Sequence, residues 1–210
     1  MSDATGLNPL GIRPMTEDDL DELIEIDGTI DSESYLHVAA PDGEREDALR
    51  FGWSLEPRGL SERRIEANRL DAKSGPGSET MFDYRQTVRG VQEGVALIVE
   101  ASGQPAGALL ARHDPARRLL LLDDVRVDYD LRREGFGSAL LYHLIGLGRQ
   151  RAADQADARL IVAPVPAYNV PAAGLLARID FQPSGIDTMR QSNHDLVKEA
   201  ATVLWAFSLE

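Results

Sequence analysis

The sequence of 210 residues contains no cysteine. This absence excludes a thiol nucleophile, an acyl-cysteine intermediate, thiolate metal sites and any disulfide framework. The four histidines, His37, His113, His143 and His194, show neither His-x-x-His nor His-x-x-x-His spacing, so we expect no metal site. Any catalytic or binding groups must therefore be oxygen or nitrogen atoms of side chains, or backbone groups.

Positive charge is also scarce. The chain has 22 Lys and Arg residues against 35 Asp and Glu, which gives a formal net charge of -13. Binding of nucleic acid requires clustered Lys and Arg that neutralise phosphates, so we expect no nucleic-acid partner. An acidic surface does suit a cationic small molecule, which long-range attraction would draw to the protein.

Long hydrophobic runs are missing as well. No apolar run approaches the roughly 20 residues that a membrane helix requires, and Met1 to Met15 lacks the charged and apolar pattern of a signal peptide. We therefore expect no membrane partner and a cytoplasmic location. The length and a hydrophobic content of 43% predict one globular domain over residues 1–210.

The first part of the chain predicts a short strand followed by a helix. Leu10 to Arg13 has the pattern of a strand. Thr16 with Asp19 three residues later is typical of a helix N-cap. Met15 stands where it would pack against Leu20 at the start of that helix.

The pattern is weaker from residue 31 to residue 94. We expect helical segments at 44–51 and 62–70 and a loop at 74–78, where Gly, Pro and Ser cluster. We interpret residues 31–94 as a variable region that is a candidate for substrate-specific structure.

The periodicity becomes clearer from residue 95 onwards. Predicted strands cover residues 95–101, 106–112, 119–127, 159–163, 181–189 and 201–209, and predicted helices cover residues 135–151 and 170–178. This order of elements predicts a mixed α/β or α+β domain.

The segment that follows the third of these strands has the composition of an anion-binding loop. Gly135 and Gly137 allow backbone N–H groups to converge where a helix begins, and Arg132 and Arg133 add positive charge. No Gly-Lys-Ser/Thr follows, as a Walker loop would require, and Leu140 stands where a dinucleotide fingerprint has its third glycine. The loop therefore predicts a phosphate or pyrophosphate ligand of another kind.

This loop resembles the acetyl-CoA pyrophosphate loop of the GCN5-related N-acetyltransferase (GNAT) superfamily, whose Arg-x-x-Gly-x-Gly pattern is met by Arg132, Gly135 and Gly137. A second stretch resembles another motif of that family, with Asn169, Ala172 and Leu175 at three-residue spacing and Phe181 after them. The resemblance covers residues 95–190 well and residues 10–26 loosely. The Asp-Asp-Val-Arg-Val strand and the segment 192–200 are most similar to the streptothricin-acetyltransferase-like branch.

The resemblance implies a single GNAT-type domain. Its mixed, mostly antiparallel sheet would splay in the middle between flanking helices, and residues 119–190 would form the acetyl-CoA-binding core. Acetyl-CoA would be the co-substrate, with no metal. The implied cofactor-binding residues are Val125, Arg126, Val127, Arg132, Arg133, Glu134, Gly135, Phe136, Gly137, Ser138 and Asn169.

The reaction that the resemblance implies is direct transfer of an acetyl group to a primary amine of a small molecule, and the net negative charge favours a cationic one. The absence of cysteine suits direct transfer, because no acyl-enzyme is needed. Two alternatives stay open: an acetyl-CoA-binding sensor without turnover, and an N-acetyltransferase that acts on a protein or peptide. A homodimer, formed through the last strand or Trp205, is a further expectation.

The resemblance also implies a proton acceptor near the splay. Asp124 is the first choice and Asp123 the second, with a backbone N–H near Val125 as the oxyanion donor. Side chains alternate between the two faces of a strand, so only one of the two carboxylates would face the site unless a bulge intervenes.

The general acid is the point at which this sequence departs from the family pattern. Leu176 occupies the position of the family's usual Tyr. Tyr168, which adjoins Asn169, is the first substitute, and Tyr84 and Tyr35 are alternatives. Loss of a general acid typically costs about 10² to 10⁴ in rate.

Two further expectations concern charged residues. His194 beside Asp195 is a candidate substrate contact in the loop between the last two strands. A basic side of the protein, gathered around the anion site, is expected from Arg112, Arg117, Arg118, Arg126, Arg132 and Arg133.

Overall fold

The structure is a computed structural model that describes residues 11–39, 54–66, 68, 70, 76–153, 158–187 and 201–210. The strands are β1 (Arg13–Pro14), β2 (Ile30–Ala39), β3 (Ser54–Glu66), β4 (Gly94–Ala101), β5 (Gln104–Asp114), β6 (Leu119–Val127), β7 (Leu160–Pro166), β8 (Gln182–Asp187) and β9 (Thr202–Ser208). The α-helices are α1 (Asp19–Glu22), α2 (Pro76–Val88), α3 (Phe136–Ala153) and α4 (Val170–Arg178), and single 3₁₀ turns cover Leu23–Glu25 and Tyr129–Leu131.

Seven strands form one mixed sheet in the order β1-β4-β5-β6-β7-β9-β8. All neighbouring strands run antiparallel except β6 and β7, which are parallel. These two strands pair only where Leu119–Leu121 meets Leu160–Val162. Beyond those residues β6 and β7 separate, because the rest of β7 pairs with β9 alone. The predicted mostly antiparallel sheet with a splay in its middle is confirmed.

Hydrophobic side chains cover both faces of this sheet. Leu140 and Leu144 of α3 and Leu176 of α4 are at most 1% exposed in the core of one face. Leu20 of α1 and Tyr84 of α2 belong to the core of the other face. The sheet therefore lies between α3 and α4 on one side and α1 and α2 on the other.

The strands and helices predicted from residue 95 onwards are confirmed, with ends that shift by a few residues. At the N-terminal end, the strand predicted at 10–13 is observed as the two-residue β1. Thr16 is not an N-cap acceptor, because its N–H and hydroxyl instead donate to Asp19 Oδ2 at 2.6 and 2.8 Å. Met15 and Leu20 share one core cluster, as expected.

The helix predicted at 62–70 is wrong, because residues 54–66 form β3. This strand pairs with β2 in a separate two-stranded sheet, in which Ile30 lies opposite Glu66 and Ala39 opposite Ser54. Residues 62–66, Glu-Arg-Arg-Ile-Glu, are mostly good helix formers, and the non-local pairing with β2 overrides that local preference. The helix α2 begins at Pro76, inside the predicted loop, as suits proline in a first helical turn. The helix predicted at 44–51 lies outside the described residues.

Candidate active site

A cavity of about 960 Å³ opens where β6 ends and α3 begins. Its walls come from β6, the loop that follows, the first turn of α3, one face of α4 and residues 28–34 at the start of β2. Every predicted cofactor-binding residue except Glu134 lines this cavity. The two sequence motifs therefore meet in one place.

The first turn of α3 presents backbone donors to the cavity. The N–H of Ala139 bonds to Gly135 O at 3.0 Å, and helix geometry leaves the N–H groups just before it without an intrahelical acceptor. Phe136, Gly137 and Ser138, which carry those groups, all line the cavity. The positive end of the helix dipole adds to their attraction for an anion.

The backbone before α3 turns through the left-handed region twice. Arg133 has a φ of +72° and Gly135 a φ of +97°. A Cβ built on Gly135 would have no atom within 4 Å, so the space beside this glycine is open. An open concavity beside N–H groups that lack an intrahelical acceptor is suited to an anion such as a pyrophosphate.

Gly137 has a different reason to be glycine. A Cβ at this position would lie 3.1 Å from Leu175 Cδ2 and 3.5 Å from Val127 Cγ2. Because a side chain is absent, α3 begins close against both α4 and β6. Three walls of the cavity converge there.

Arg132 holds the loop in shape. Its Nε donates to Val127 O at 3.2 Å and its Nη2 donates to Asp27 O at 3.4 Å. Its guanidinium lies 4.9 Å from the centre of the Tyr129 ring. Asp128 Oδ2 also accepts the N–H of Asp27 at 3.0 Å, so the loop is fastened to the chain that leads into β2.

Asp31 fastens the β2–β3 sheet to the same loop. It accepts hydrogen bonds from Arg63 Nε at 2.7 Å and from the Tyr129 hydroxyl at 2.9 Å, and it also binds Arg63 Nη2. The bonds from Arg63, and then the bond from Tyr129, lower the pKa of Asp31 to about 2. Asp31 and Arg63 line the cavity, and the sequence patterns gave no sign of either because the non-local β2–β3 pairing brings them there.

The strand β6 carries a bulge at the two candidate proton acceptors. Leu110 of β5 lies opposite Asp124 and Ala111 lies opposite Leu122, so Asp123 is the extra residue. A bulge lets two successive side chains share one face. Asp123 and Asp124 both face the α2 side of the sheet, where each has a charged partner.

Asp124 belongs to a buried ion pair. Its Oδ2 accepts hydrogen bonds from Arg126 Nε at 2.6 Å and from the Tyr84 hydroxyl at 3.0 Å, and the side chains of Asp124 and Arg126 are 9% and 1% exposed. Burial opposes the charge of Arg126, but the charge and hydrogen bond of Asp124 keep the pKa of the guanidinium above its ordinary value. Arg126 Nη1 also donates to Asn68 O at 3.2 Å. Oδ1 of Asp124 accepts no hydrogen bond within the described part of the chain.

Asp123 uses both of its carboxylate oxygens. Arg112 donates to Oδ1 through Nη2 at 2.6 Å and to Oδ2 through Nε. The bond to Asp123 raises the pKa of Arg112, and Asp83 of α2 stands 3.9 Å from the same guanidinium. Asp123 is therefore held more completely than Asp124.

The three candidate tyrosines lie outside the cavity wall. Burial, and then the charge of Asp124, raise the pKa of Tyr84 well above its ordinary value, so this hydroxyl keeps its proton. The Tyr168 hydroxyl donates to Glu66 Oε1 at 3.3 Å. Tyr35 is 9% exposed and packs edge-on against the imidazole of His37.

Asn169 begins α4. Its side-chain oxygen accepts the N–H of Ala172 at 3.2 Å, which makes it the helix N-cap. That bond leaves the two N–H donors of the amide for another partner, and Asn169 lines the cavity.

The expected gathering of six arginines around the anion site is wrong in part. Arg126, Arg132 and Arg133 line the cavity. Arg112 is near the far end of β5, and residues 117 and 118 form the turn before β6 begins, at the opposite end of that strand from the loop. Arg63 and Arg178, which were not expected, line the cavity in their place.

A dimer contact through the last strand, as suggested, has no free strand edge for pairing. β9 pairs with β7 on one edge and with β8 on the other, and Trp205 within it is 6% exposed. His194 and Asp195, with the rest of segment 192–200, lie outside the described residues. Within the described ranges, no group of three or more acidic or histidine side chains is arranged to hold a metal ion. None of the helices there has the length and apolar character needed to span a membrane.

Comparison with known proteins agrees with this geometry. The model of the family described as "Acetyltransferase (GNAT) family" matches residues 63–181, more than half of the chain. No curated protein matches the sequence significantly.

Solved structures share the fold at low sequence identity. Nourseothricin acetyltransferase is 17% identical with a TM-score of 0.69, over 95% of this chain and 98% of that chain. A protein described as a streptothricin acetyltransferase from Bacillus anthracis str. Ames, in complex with acetyl coenzyme A, is 15% identical with a TM-score of 0.73, over 96% and 98%. The ribosomal-protein-S18-alanine N-acetyltransferase from Escherichia coli is 16% identical with a TM-score of 0.58, over 95% and 93%.

Proposed function

The chain belongs to the GNAT acetyltransferase family and is an acetyl-CoA-dependent N-acetyltransferase, and we propose that its acceptor is a primary amine of a small cationic molecule. The observation that carries the proposed cofactor site is the cavity, which joins an anion cradle at the start of α3 to the backbone of Val125–Val127 at the splay. The cofactor would lie in that cavity, with its reactive end where β6 and β7 part.

The residues present fit acetyl-CoA, which supplies an activated thioester when bound. The N–H groups of residues 133–138 would hold the pyrophosphate, beside the open space at Gly135. The backbone of Val125 and Val127, which has no strand partner on the side of the splay, would pair with the pantetheine arm. The side-chain oxygen of Asn169 is used in the capping bond, so its amide N–H groups would be the ones to donate to the cofactor.

Asp124 is the proton acceptor that we propose. The bonds from Arg126 and Tyr84 to Oδ2 fix its carboxylate, and Oδ1 is left to take a proton from the acceptor ammonium through a water molecule. Asp123 is the weaker candidate, because the Arg112 guanidinium engages both of its oxygens. A backbone N–H near Val125 would stabilise the developing oxyanion.

Departure of the thiolate requires little help from the protein. Leu176, at the position of the family's usual Tyr, is a core residue with 1% exposure. Tyr168 stays a prediction as general acid, although its hydroxyl is engaged by Glu66. A thiol with a pKa near 8.5 is a leaving group that functions without an acid.

The role of Asp124 is testable without relying on a variant that unfolds. Asp124→Asn leaves Arg126 buried without a counter-charge, which typically destabilises a protein by about 3–5 kcal/mol. The double variant Asp124→Asn, Arg126→Met removes both charges and should recover much of that stability, measured by denaturant unfolding, while the acetylation rate stays low. Recovery of the rate in the double variant would show that Asp124 is only a counter-ion.

The small cationic acceptor is supported by three observations. The formal net charge is -13. Glu33 is an exposed acid on the cavity wall. The fold is also similar to that of proteins described as acting on streptothricin and nourseothricin. The similarity to an enzyme that acetylates a ribosomal protein favours a peptide acceptor as the second candidate, at a lower TM-score.

A thiol-release assay separates these acceptors. We expect turnover with streptothricin-like, aminoglycoside or polyamine cations and little with peptides that carry free N-termini. The reverse order would favour the peptide acceptor. Binding of acetyl-CoA without turnover on any amine would contradict the proposal and favour a sensor.

Two other predictions accompany this function. A cytoplasmic location follows from the use of acetyl-CoA as co-substrate. A homodimer stays a prediction that sedimentation of the purified chain would test, with a contact elsewhere than the edges of β9.

A further inference from the structure

The arginines that line the cavity differ in how many of their guanidinium nitrogens donate hydrogen bonds within the protein. Arg126 donates to Asp124 and to Asn68 O, Arg63 is held by Asp31 through two nitrogens, and two loop carbonyls occupy Arg132. These side chains shape the walls. Their charges are largely balanced or fixed by the protein itself.

Arg178, in the last turn of α4, is different. Its Nε donates to Gly174 O at 3.2 Å, and its two Nη groups have no hydrogen bond or ion pair among the described residues. Its side chain is exposed, yet it lines the cavity. The Nε bond fixes the stem of the side chain and leaves a planar pair of donors for an anion.

The position of Arg178 relative to the cradle follows from the helix. The cavity face of α4 includes Pro171, Gly174, Leu175 and Arg178, which share one side of the helix at spacings of three and four residues. Leu175 is the residue that Gly137 of α3 approaches. Arg178 therefore stands three residues, about 4.5 Å of rise, beyond the point where the N-terminus of α3 meets α4.

CoA carries three phosphate groups, of which two form the pyrophosphate and the third is attached to the ribose at the 3′ position. The start of α3, with Arg133, accounts for the pyrophosphate. A single ribose separates that group from the third phosphate. This distance suits the step along α4 from Leu175, beside the start of α3, to Arg178. We propose that Arg178 binds the 3′-phosphate and makes the protein distinguish CoA from dephospho-CoA, an inference that rests on the proposed cofactor site.

Calorimetric titration of the purified protein with CoA and with dephospho-CoA tests this. We expect the unmodified chain to bind CoA more tightly than dephospho-CoA by about fivefold to tenfold, the range for a charge-assisted contact at a partly exposed site. Arg178→Gln should weaken CoA by that factor and leave dephospho-CoA unchanged. Because Arg178 is exposed, thermal unfolding of this variant should match that of the parent.

Two comparison variants sharpen the result. Arg133→Gln should weaken both ligands by similar factors, because Arg133 faces the pyrophosphate. Arg117→Gln changes an arginine whose side chain is 77% exposed and which lies outside the cavity lining, so it should affect neither ligand.

The outcomes are distinguishable. Equal binding of CoA and dephospho-CoA by the unmodified chain would overturn the assignment of Arg178 and leave the proposed function intact. An equal loss for both ligands in Arg178→Gln would overturn the assignment as well, and would make Arg178 a pyrophosphate contact. Failure of the unmodified chain to bind either ligand would contradict the proposed function itself.

Discussion

A carboxylate at position 174 should weaken the binding of acetyl-CoA. Gly174 is exposed in the middle of α4, lines the cavity, and has no atom within 4 Å of where its Cβ would be. Gly174→Asp therefore adds a negative charge to the cavity wall without a clash. Because Arg178 is four residues further along the helix, the new Asp would also pair with it and withdraw one cation from the ligand.

The size of the effect follows from Coulomb's law. At a separation of about 7 Å, the repulsion between two unit charges is about 0.6 kcal/mol in water and about 2.4 kcal/mol at an effective dielectric constant of 20. We therefore expect the dissociation constant of acetyl-CoA to rise by about threefold to fiftyfold. The loss should shrink at higher salt, since the cavity is open to solvent.

Gly146→Asp is the matched control. Gly146 is an exposed glycine in the interior of α3 with an equally open Cβ position, and it does not line the cavity. Asp exceeds Gly slightly in helix propensity, so neither variant should lose stability. Calorimetry at two salt concentrations measures the dissociation constant of acetyl-CoA for both variants. An equal loss of affinity in both variants would show that net charge, and not the cavity wall, determines binding.

Two other predictions concern the backbone and a charge pair. Gly135→Ala should lower stability by about 1–2 kcal/mol through strain at its φ of +97° and should also weaken acetyl-CoA binding. Gly103→Ala, at a φ of +78° in an open turn, is the control and should lose stability without losing affinity for acetyl-CoA. Denaturant unfolding measures the first quantity and calorimetry the second. Unchanged binding in both variants would contradict the proposed anion cradle. The hydrogen bonds from Arg13 lower the pKa of Asp19 from 3.8 to about 2, so the stability that this carboxylate provides is complete above its ordinary pKa and is lost as the pH falls from about 4 towards 2. Because Arg13 is 40% exposed, solvent reduces that contribution to about 1 kcal/mol, and Asp19→Asn should flatten the pH dependence of urea unfolding in this window.

The parts of the site that the sequence predicts are those defined by local signals. Gly135 and Gly137 mark a turn and a helix start that depend only on neighbouring residues, and Asn169 is a helix cap three residues before its partner. The sheet core was also predictable, because β4, β5 and β6 are apolar and close in sequence.

The remaining parts depend on contacts that are distant along the chain. The pairing of Ile30 with Glu66 turns a charged, helix-like segment into β3 and brings Arg63 to the cavity. The bulge at Asp123 depends on how β6 pairs with β5, so the sequence left open whether one carboxylate or both face the α2 side of the sheet. Arg126, which donates to Asp124, is only two residues away in sequence. The second donor, the hydroxyl of Tyr84, comes from α2, which is distant from β6 along the chain.

The short contact between β6 and β7 has a mechanical consequence. Within the described residues, strand pairing joins the four strands on one side of the sheet to the three on the other through three residue pairs, Leu119–Leu121 with Leu160–Val162. One further backbone bond, from Arg159 N–H to Arg118 O, lies just before them. The opening beyond them is a seam, which the pantetheine arm in the proposed cofactor site would close by bridging both halves. The cofactor would then add structural support to the sheet. Its binding should slow amide hydrogen exchange on both sides of the seam and make the two halves of the sheet unfold as one unit.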